Sequence, residues 1–363
     1  MLRKIGKYVG YTLLWIVIVA ALLWAHNRAA THRTEQVVGA MNISIENGDD
    51  KQLIDSHIIE EWIAKHNLSP IGITIDKVAV EQIEEQVRRH TAVANADVYT
   101  TYDGDVNISI EQRRPIARLR MDGYDAYITA EGYIVPAAEG YSAHVPVVTG
   151  DYRPLFGSNY AGYAEDVTRD SIEALERVIA LLEEQKIPLY EQQQQNNKEL
   201  RLILSERLSK GFFQSDEEYE ILKNHYNQRR SDARNKHRYR NQQLRAGIAI
   251  LEQQQHEARK RQQQLEQQDA DFDALLDFLK FVGEDSYWSA EVVQVIASGG
   301  GGKQIELSIV PRSGRFLVDL GATTELRDKL ATLEHFYRKG LDNVGWDKYR
   351  HISLRYRGQV VCK

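Results

Sequence analysis

Cysteine is almost missing from this chain; the single one is Cys362. One thiol closes no internal disulfide and supplies no cysteine-based zinc site. Other chemistry is missing as well. The eleven histidines are scattered, with no H-E-x-x-H pattern to seat a metal, and no G-x-S-x-G marks a nucleophile. The stretch "SGGGGKQIE" at 298–306 superficially suggests a phosphate loop. That pattern needs glycine where Ala297 stands and a hydroxyl where Gln304 stands. It also needs a helix after the lysine, whereas "QIELSIV" alternates like a strand, so a hairpin turn fits better. Acidic pairs such as Glu60–Glu61 and Glu84–Glu85 fall on amphipathic helices, where solvated faces are the ordinary outcome. The sequence therefore offers no catalytic residue, no cofactor site and no metal site, and an enzyme is not expected. A surplus of one charge is lacking too. The net charge of −6 argues against nucleic acid as a partner.

Long apolar runs are absent with one exception. Tyr8 to Ala25 holds no charged residue, and as a helix these ~18 positions span about 27 Å, close to a hydrocarbon core of about 30 Å. Arg3, Lys4 and Lys7 precede it, and Tyr8, Tyr11, Trp15 and Trp24 suit the interfaces. A cleaved signal peptide is the competing reading. The run is long for one, and bulky Trp24 sits where cleavage wants small residues. The expectation is a short cytoplasmic segment (1–7), a transmembrane helix (8–25), and everything beyond outside the cytoplasm.

The next residues, 37–113, run strand, helix, helix, strand, strand. "AMNISIE" alternates, and "NGDD" closes it with turn chemistry. Asp55 or Ser56 caps a helix with Ile58, Ile59, Trp62 and Ile63 on one face. Val80, Ile83 and Val87 stripe a second helix. Asp103-Gly104 then marks a hairpin, read as a two-residue turn pairing Thr101 with Val106 and Tyr99 with Ile108. This β-α-α-β-β order resembles a POTRA domain.

Beyond Arg114-Pro115, short strands follow in "IARLRM", "YITAEGYIVP" and "VPVVTG" (114–187), and again in "AEVVQVIA", "KQIELSIV" and "RFLVDLG" (269–363). A helix striped by Leu326, Leu330, Leu333 and Phe336 comes next. "YRHISLRYRGQVV" closes the sequence as an alternating strand. Between the two halves lies a glutamine-rich insertion, 188–268. Ile172, Leu175, Ile179, Leu182, Lys186, Leu189, Gln193, Asn196, Leu200 and Ile203 are spaced three and four apart. So are Leu244, Ile248, Leu251, Gln255, Ala258, Gln262, Leu265, Asp269, Phe272, Leu276 and Leu279. Such spacing predicts an antiparallel coiled-coil hairpin. Gly211 is placed to end the first arm, Ser215 with Glu218 to cap the second, and Pro188 to kink or split the first. A disordered loop is the alternative. From Lys223 to Arg261, eleven Lys/Arg face three acidic residues, a local balance of +8. A solvated helix face is the first reading, and contact with anionic lipid or an acidic partner the second.

In order and motifs the chain resembles the FtsQ/DivIB family of bacterial cell-division proteins. The match runs from "EQRRPIARL" through "YITAEGYIVP" and "VPVVTG" to "LGATTELRDKLATLEHFY" and "GWDKYRHISLRYRGQVV". Its style is similar to members from the Bacteroidota. The resemblance implies an α+β protein without catalysis: a single N-terminal span, a POTRA-like domain, and a mixed β-domain carrying the inserted helical hairpin. It implies a single-pass type II protein of the inner membrane at the division septum. FtsB-like and FtsL-like bitopic proteins would be recruited by strand addition near the C-terminus, and an FtsK-like protein by the POTRA-like domain. The partner-binding residues it implies are Leu354, Arg355, Tyr356, Gly358, Gln359, Val360 and Val361, with Arg355 facing a partner carboxylate. The strand could instead be paired within its own sheet. A POTRA-bearing envelope-biogenesis or polypeptide-transport factor is the alternative function.

Overall fold

The computed structural model describes residues 14–24, 36–46, 52–121, 123–138, 143–300 and 303–363. Residues 14–24 are helical and exposed at every position. Among the described residues no helix is long and apolar enough to cross a membrane. The rest of the expected span (8–13 and 25), its leading cations, and the expected turn at 47–50 lie outside the described residues.

The first unit is built as the sequence pattern requires. Strand β1 (Met41–Glu46) is followed by helices α1 (Ser56–Lys65) and α2 (Val80–Arg88), then β2 (Val93–Thr100) and β3 (Val106–Gln112). Asp55 caps α1, its carboxylate accepting the Ile58 amide at 3.0 Å. Ile59 and Ile63 on α1 and Ile83 and Val87 on α2 are buried against the sheet. The sheet order is β1-β3-β2, with β1 parallel and β2 antiparallel to β3. The hairpin register differs from expectation: Thr100 pairs with Val106 and Val98 with Ile108. The loop is one residue longer than Asp103-Gly104 alone, and Gly104 has φ +93. Opposed residues point to the same face, so only this register puts Val98 and Ile108 together in the core.

The second unit is one sheet of ten strands. In chain order they are β4 (Pro115–Met121), β5 (Tyr124–Thr129), β6 (Tyr133–Pro136), β7 (Val147–Thr149), β8 (Gly162–Tyr163), β9 (Val292–Gly300), β10 (Lys303–Pro311), β11 (Leu317–Ala322), β12 (His351–Ser353) and β13 (Val361–Cys362). In space they run β13-β12-β11-β10-β9-β7-β4-β5-β6-β8. β9 and β10 pair antiparallel, as a hairpin reading of the glycine run requires, although Gly301 and Gly302 lie outside the described residues. The core joins Leu119, Ile128, Val148, Val295, Leu307, Ile309, Val318 and Leu320 to a helix bearing Leu326, Leu330 and Leu333. Phe336 is only partly buried, and the next residue, Tyr337, fills the core in its place. Tyr127, Val135 and Ala143 of this unit pack into the first unit's core, which joins the two.

Between β8 and β9 stands a two-helix arm: α3 (Ala164–Ser205) and α4 (Asp216–Glu284). At 42 and 69 residues the helices start earlier and end later than the glutamine-rich segment. All seam positions named above are buried or half-buried, and most of the remaining arm surface is exposed. The pairing is antiparallel. Lys186 donates to Gln255 at 2.9 Å, and Asn196 to Asn241 at 2.7 Å. Pro188 does not split α3. It is exposed, so the carbonyl its ring leaves without a partner faces water. The first helix ends at Ser205 rather than at Gly211. Ser215 and Glu218 form the expected capping box at the start of α4.

Three short helices complete the fold. They are α5 (Ser286–Glu291) before β9, α6 (Leu326–Phe336) after β11, and α7 (Asp342–Val344) beyond a π-helical turn at Tyr337–Leu341.

Candidate partner-binding edge

The alternating stretch that ends the sequence is not one strand. β12 stops at Ser353, where its parallel pairing with Asp319 of β11 also ends. Leu354 is buried, and its amide donates to the Asp319 carbonyl at 2.8 Å. The chain then leaves the sheet, turns at Gly358 (φ +66), and returns as β13 on the far side of β12.

Arg355, two residues beyond the end of β12, is tied back onto the sheet. Its guanidinium donates to both oxygens of Glu306 on β10 and, through Nε, to Asp319 on β11. Each carboxylate raises its pKa above the ordinary arginine value, Glu306 more than Asp319. Gly321 makes room for it. A Cβ there would lie 2.9 Å from Arg355 Cγ, and φ of +67 favours glycine at the β-bulge between β10 and β11. The Asp319 carboxylate also accepts the Gly321 amide at 3.0 Å, so one buried acid holds the bulge and the arginine together. The family resemblance implies a partner's carboxylate for Arg355; here the guanidinium is satisfied inside its own domain. Glu306, Asp319 and Gly321 were not legible as site residues, because they lie 34 to 49 positions from Arg355 and carry no local motif.

The other expected residues gather on one outward segment. Tyr356 is 64% exposed. Gln359 closes a turn by donating its amide to the Tyr356 carbonyl at 3.1 Å. Val360 packs on the core, and Val361 is exposed at its edge. Arg357 pairs with Glu325 at 3.4 Å across the mouth of a cleft of about 230 Å³, which Asp328, Lys329, Arg355 and Tyr356 also line. Lys329 donates to the carbonyls of Leu320 and Ala322, both at 2.7 Å, and burial lowers its pKa. Exposed Tyr356 stands at the rim of this cleft. Among the described residues no group of acids, histidines or cysteine is arranged to hold a metal.

The basic stretch of α4 is partly used within the arm. Arg229 pairs with Glu206, Arg240 with Glu199, and Arg230 donates to the Leu204 carbonyl. Arg234, Lys236, Arg238 and Arg245 are exposed.

A model described as FtsQ/DivIB, C-terminal related matches residues 246–363, and one for a POTRA-like domain matches residues 36–111. Residues 112–245, with strands β4 to β8 and most of the arm, fall outside both matches. No curated protein matches the chain. Residues 36–111 thus resemble a POTRA-like domain, and the half of the β-domain from β9 onward resembles the C-terminal region of division proteins. Residues 246–363 are similar to the FtsQ/DivIB family, a non-enzymatic family of cell-division proteins, which supports a cell-division role.

Proposed function

We propose that this chain is a non-enzymatic assembly protein of the divisome. It recruits FtsB-like and FtsL-like bitopic proteins at the septum through a strand added at the β12–β13 end of its sheet. The observation that carries this is the edge itself: a very short outermost strand beside exposed Tyr356, within the segment matched by the FtsQ/DivIB model. An outermost strand leaves backbone donors and acceptors for a foreign strand, and alternate side chains supply specificity. Tyr356 supplies apolar contact, Gly358 the turn, and Gln359, Val360 and Val361 the segment that borders the accepting edge, while Leu354 and Arg355 position it. The POTRA-like domain meets an FtsK-like protein. A single span at residues 8–25 holds the chain in the inner membrane as a type II protein, supported by the uncharged run and the exposed helix at 14–24.

Replacing Tyr356 by aspartate in the full chain tests the edge. The expected result is loss of FtsB-like and FtsL-like co-purification from a protein that still folds and stays with the membrane fraction. Undiminished recovery would refute the assignment. A fluorescent fusion separates division from transport: a mid-cell band is expected, and uniform envelope staining would favour a transport factor.

A further inference from the structure

The last ladder of the sheet is short. Arg350 and His351 amides donate to the Lys363 carbonyl at 2.8 and 3.1 Å, and the Lys363 amide donates back to His351 at 2.8 Å. Ile352 pairs with Cys362 and Ser353 with Val361. His351 and Lys363 exchange both bonds, so by alternation Ile352 and Cys362 form a non-hydrogen-bonded pair, where side chains sit closest. Ile352 is fully buried, and Val360 and Cys362 pack on the core beside it.

What anchors this segment lies upstream of it. Leu354 is in the core and Arg355 is tied to Glu306 and Asp319, whereas residues 359–363 are held by the ladder and two side chains. The turn at Gly358 separates the two parts. Lifting 359–363 therefore leaves the anchor in place. It uncovers β12, an edge beside β11, with two apolar sockets. The outer side of β13 offers a poorer platform: a two-residue strand whose outward side chain, Val361, is exposed.

We propose that β13 is a placeholder on the β12 edge, displaced when a partner binds. The occupant is an extended peptide strand, antiparallel to β12, with apolar residues two apart that refill the sockets of Val360 and Cys362. This rests on the reading that the β-domain accepts a partner strand, and adds which edge accepts it.

The chain's one cysteine reports on the exchange. Cys362 is half-buried, and burial raises its thiol pKa, which slows alkylation. The experiment uses the wild-type full chain in detergent, with a tagged FtsB-like protein as probe. Binding is measured by pull-down and Cys362 alkylation by mass spectrometry. Displacement predicts alkylation at least tenfold faster when the probe saturates the chain. Protection of Cys362, or an unchanged rate with the probe bound, overturns the placeholder and leaves strand docking standing. No binding by the wild-type chain overturns both.

A variant of the chain tests the same point without alkylation. Ile352→Cys sets a thiol opposite Cys362, and oxidation would tie β13 to β12. The oxidised protein is expected to bind the probe at least tenfold more weakly than the same protein after reduction. Equal binding in the two states overturns the placeholder.

Discussion

The arm and the sheet it grows from bury different things. Across the sheet the core is apolar, with Leu119, Val295, Leu307, Ile309, Val318 and Leu320 all sealed from water. Along the arm, Lys186, Asn196, Asn241 and Gln255 are buried among sparse aliphatics. The buried Lys186 ammonium is held by Glu183 and Gln255, and Asn196 and Asn241 join Asn197 and His237 in a second polar layer. Apolar burial drives folding, whereas satisfied polar layers add little net stability and disfavour wrong registers. The sheet thus carries the stability of the β-domain. The arm, about 60 Å long by helical rise, carries an alignment.

That contrast can be broken by mutation. Leu307→Ala or Leu320→Ala in the sheet should cost about 2–5 kcal/mol of global stability, read by denaturant unfolding. A loss under about 1 kcal/mol would show that the sheet is not the stable part. In the arm, Lys186→Leu with Gln255→Leu should leave stability unchanged or raise it by up to about 4 kcal/mol. Hydrogen exchange along α3 and α4 should then report mixed registers. A large loss from the double replacement would make the polar layer a source of stability instead. Ser215→Ala removes the capping box and should cost about 1 kcal/mol, confined to amides in the first turns of α4.

The smallest effect concerns the sheet's surface. Arg118 donates to both oxygens of Asp125, at 2.7 and 2.9 Å, and this bond holds the Asp125 pKa below its ordinary value. A lowered carboxylate pKa stabilises above the unfolded-state value and stops doing so as pH falls through the folded one. Asp125 is nearly half exposed, so solvent screens the pair. Asp125→Asn should therefore lose under about 1 kcal/mol at pH 7 and nothing once the wild-type carboxylate is protonated in acid. A pH-independent difference would mean the pair is not its cause.

How far the sequence could be read follows from the same contrast. The seam of the arm was legible because heptad spacing is local and repeats over many turns, and even its polar members, Lys186, Asn196 and Gln255, fall where the spacing puts them. The register of the β2–β3 hairpin was missed by one residue. The alternation of Val98 with Ile108 held the correction, but Asp-Gly suggested the shorter loop. Pro188 was expected to interrupt α3, yet an exposed proline in a helix braced along its length is tolerated. The closing strand was misread for a different reason. Its period-2 pattern is real, but the strand ends just before Arg355, whose partners Glu306 and Asp319 are far from it in sequence and are brought to it by the sheet.

A photo-crosslinking residue at position 356 of the full chain, in its own cells, tests the central claim most directly, with the same probe at exposed Phe212 on the arm as comparison. The account predicts that position 356 captures small bitopic division proteins and that position 212 does not. Capture of those proteins from position 212 alone would place recruitment on the arm and contradict the account.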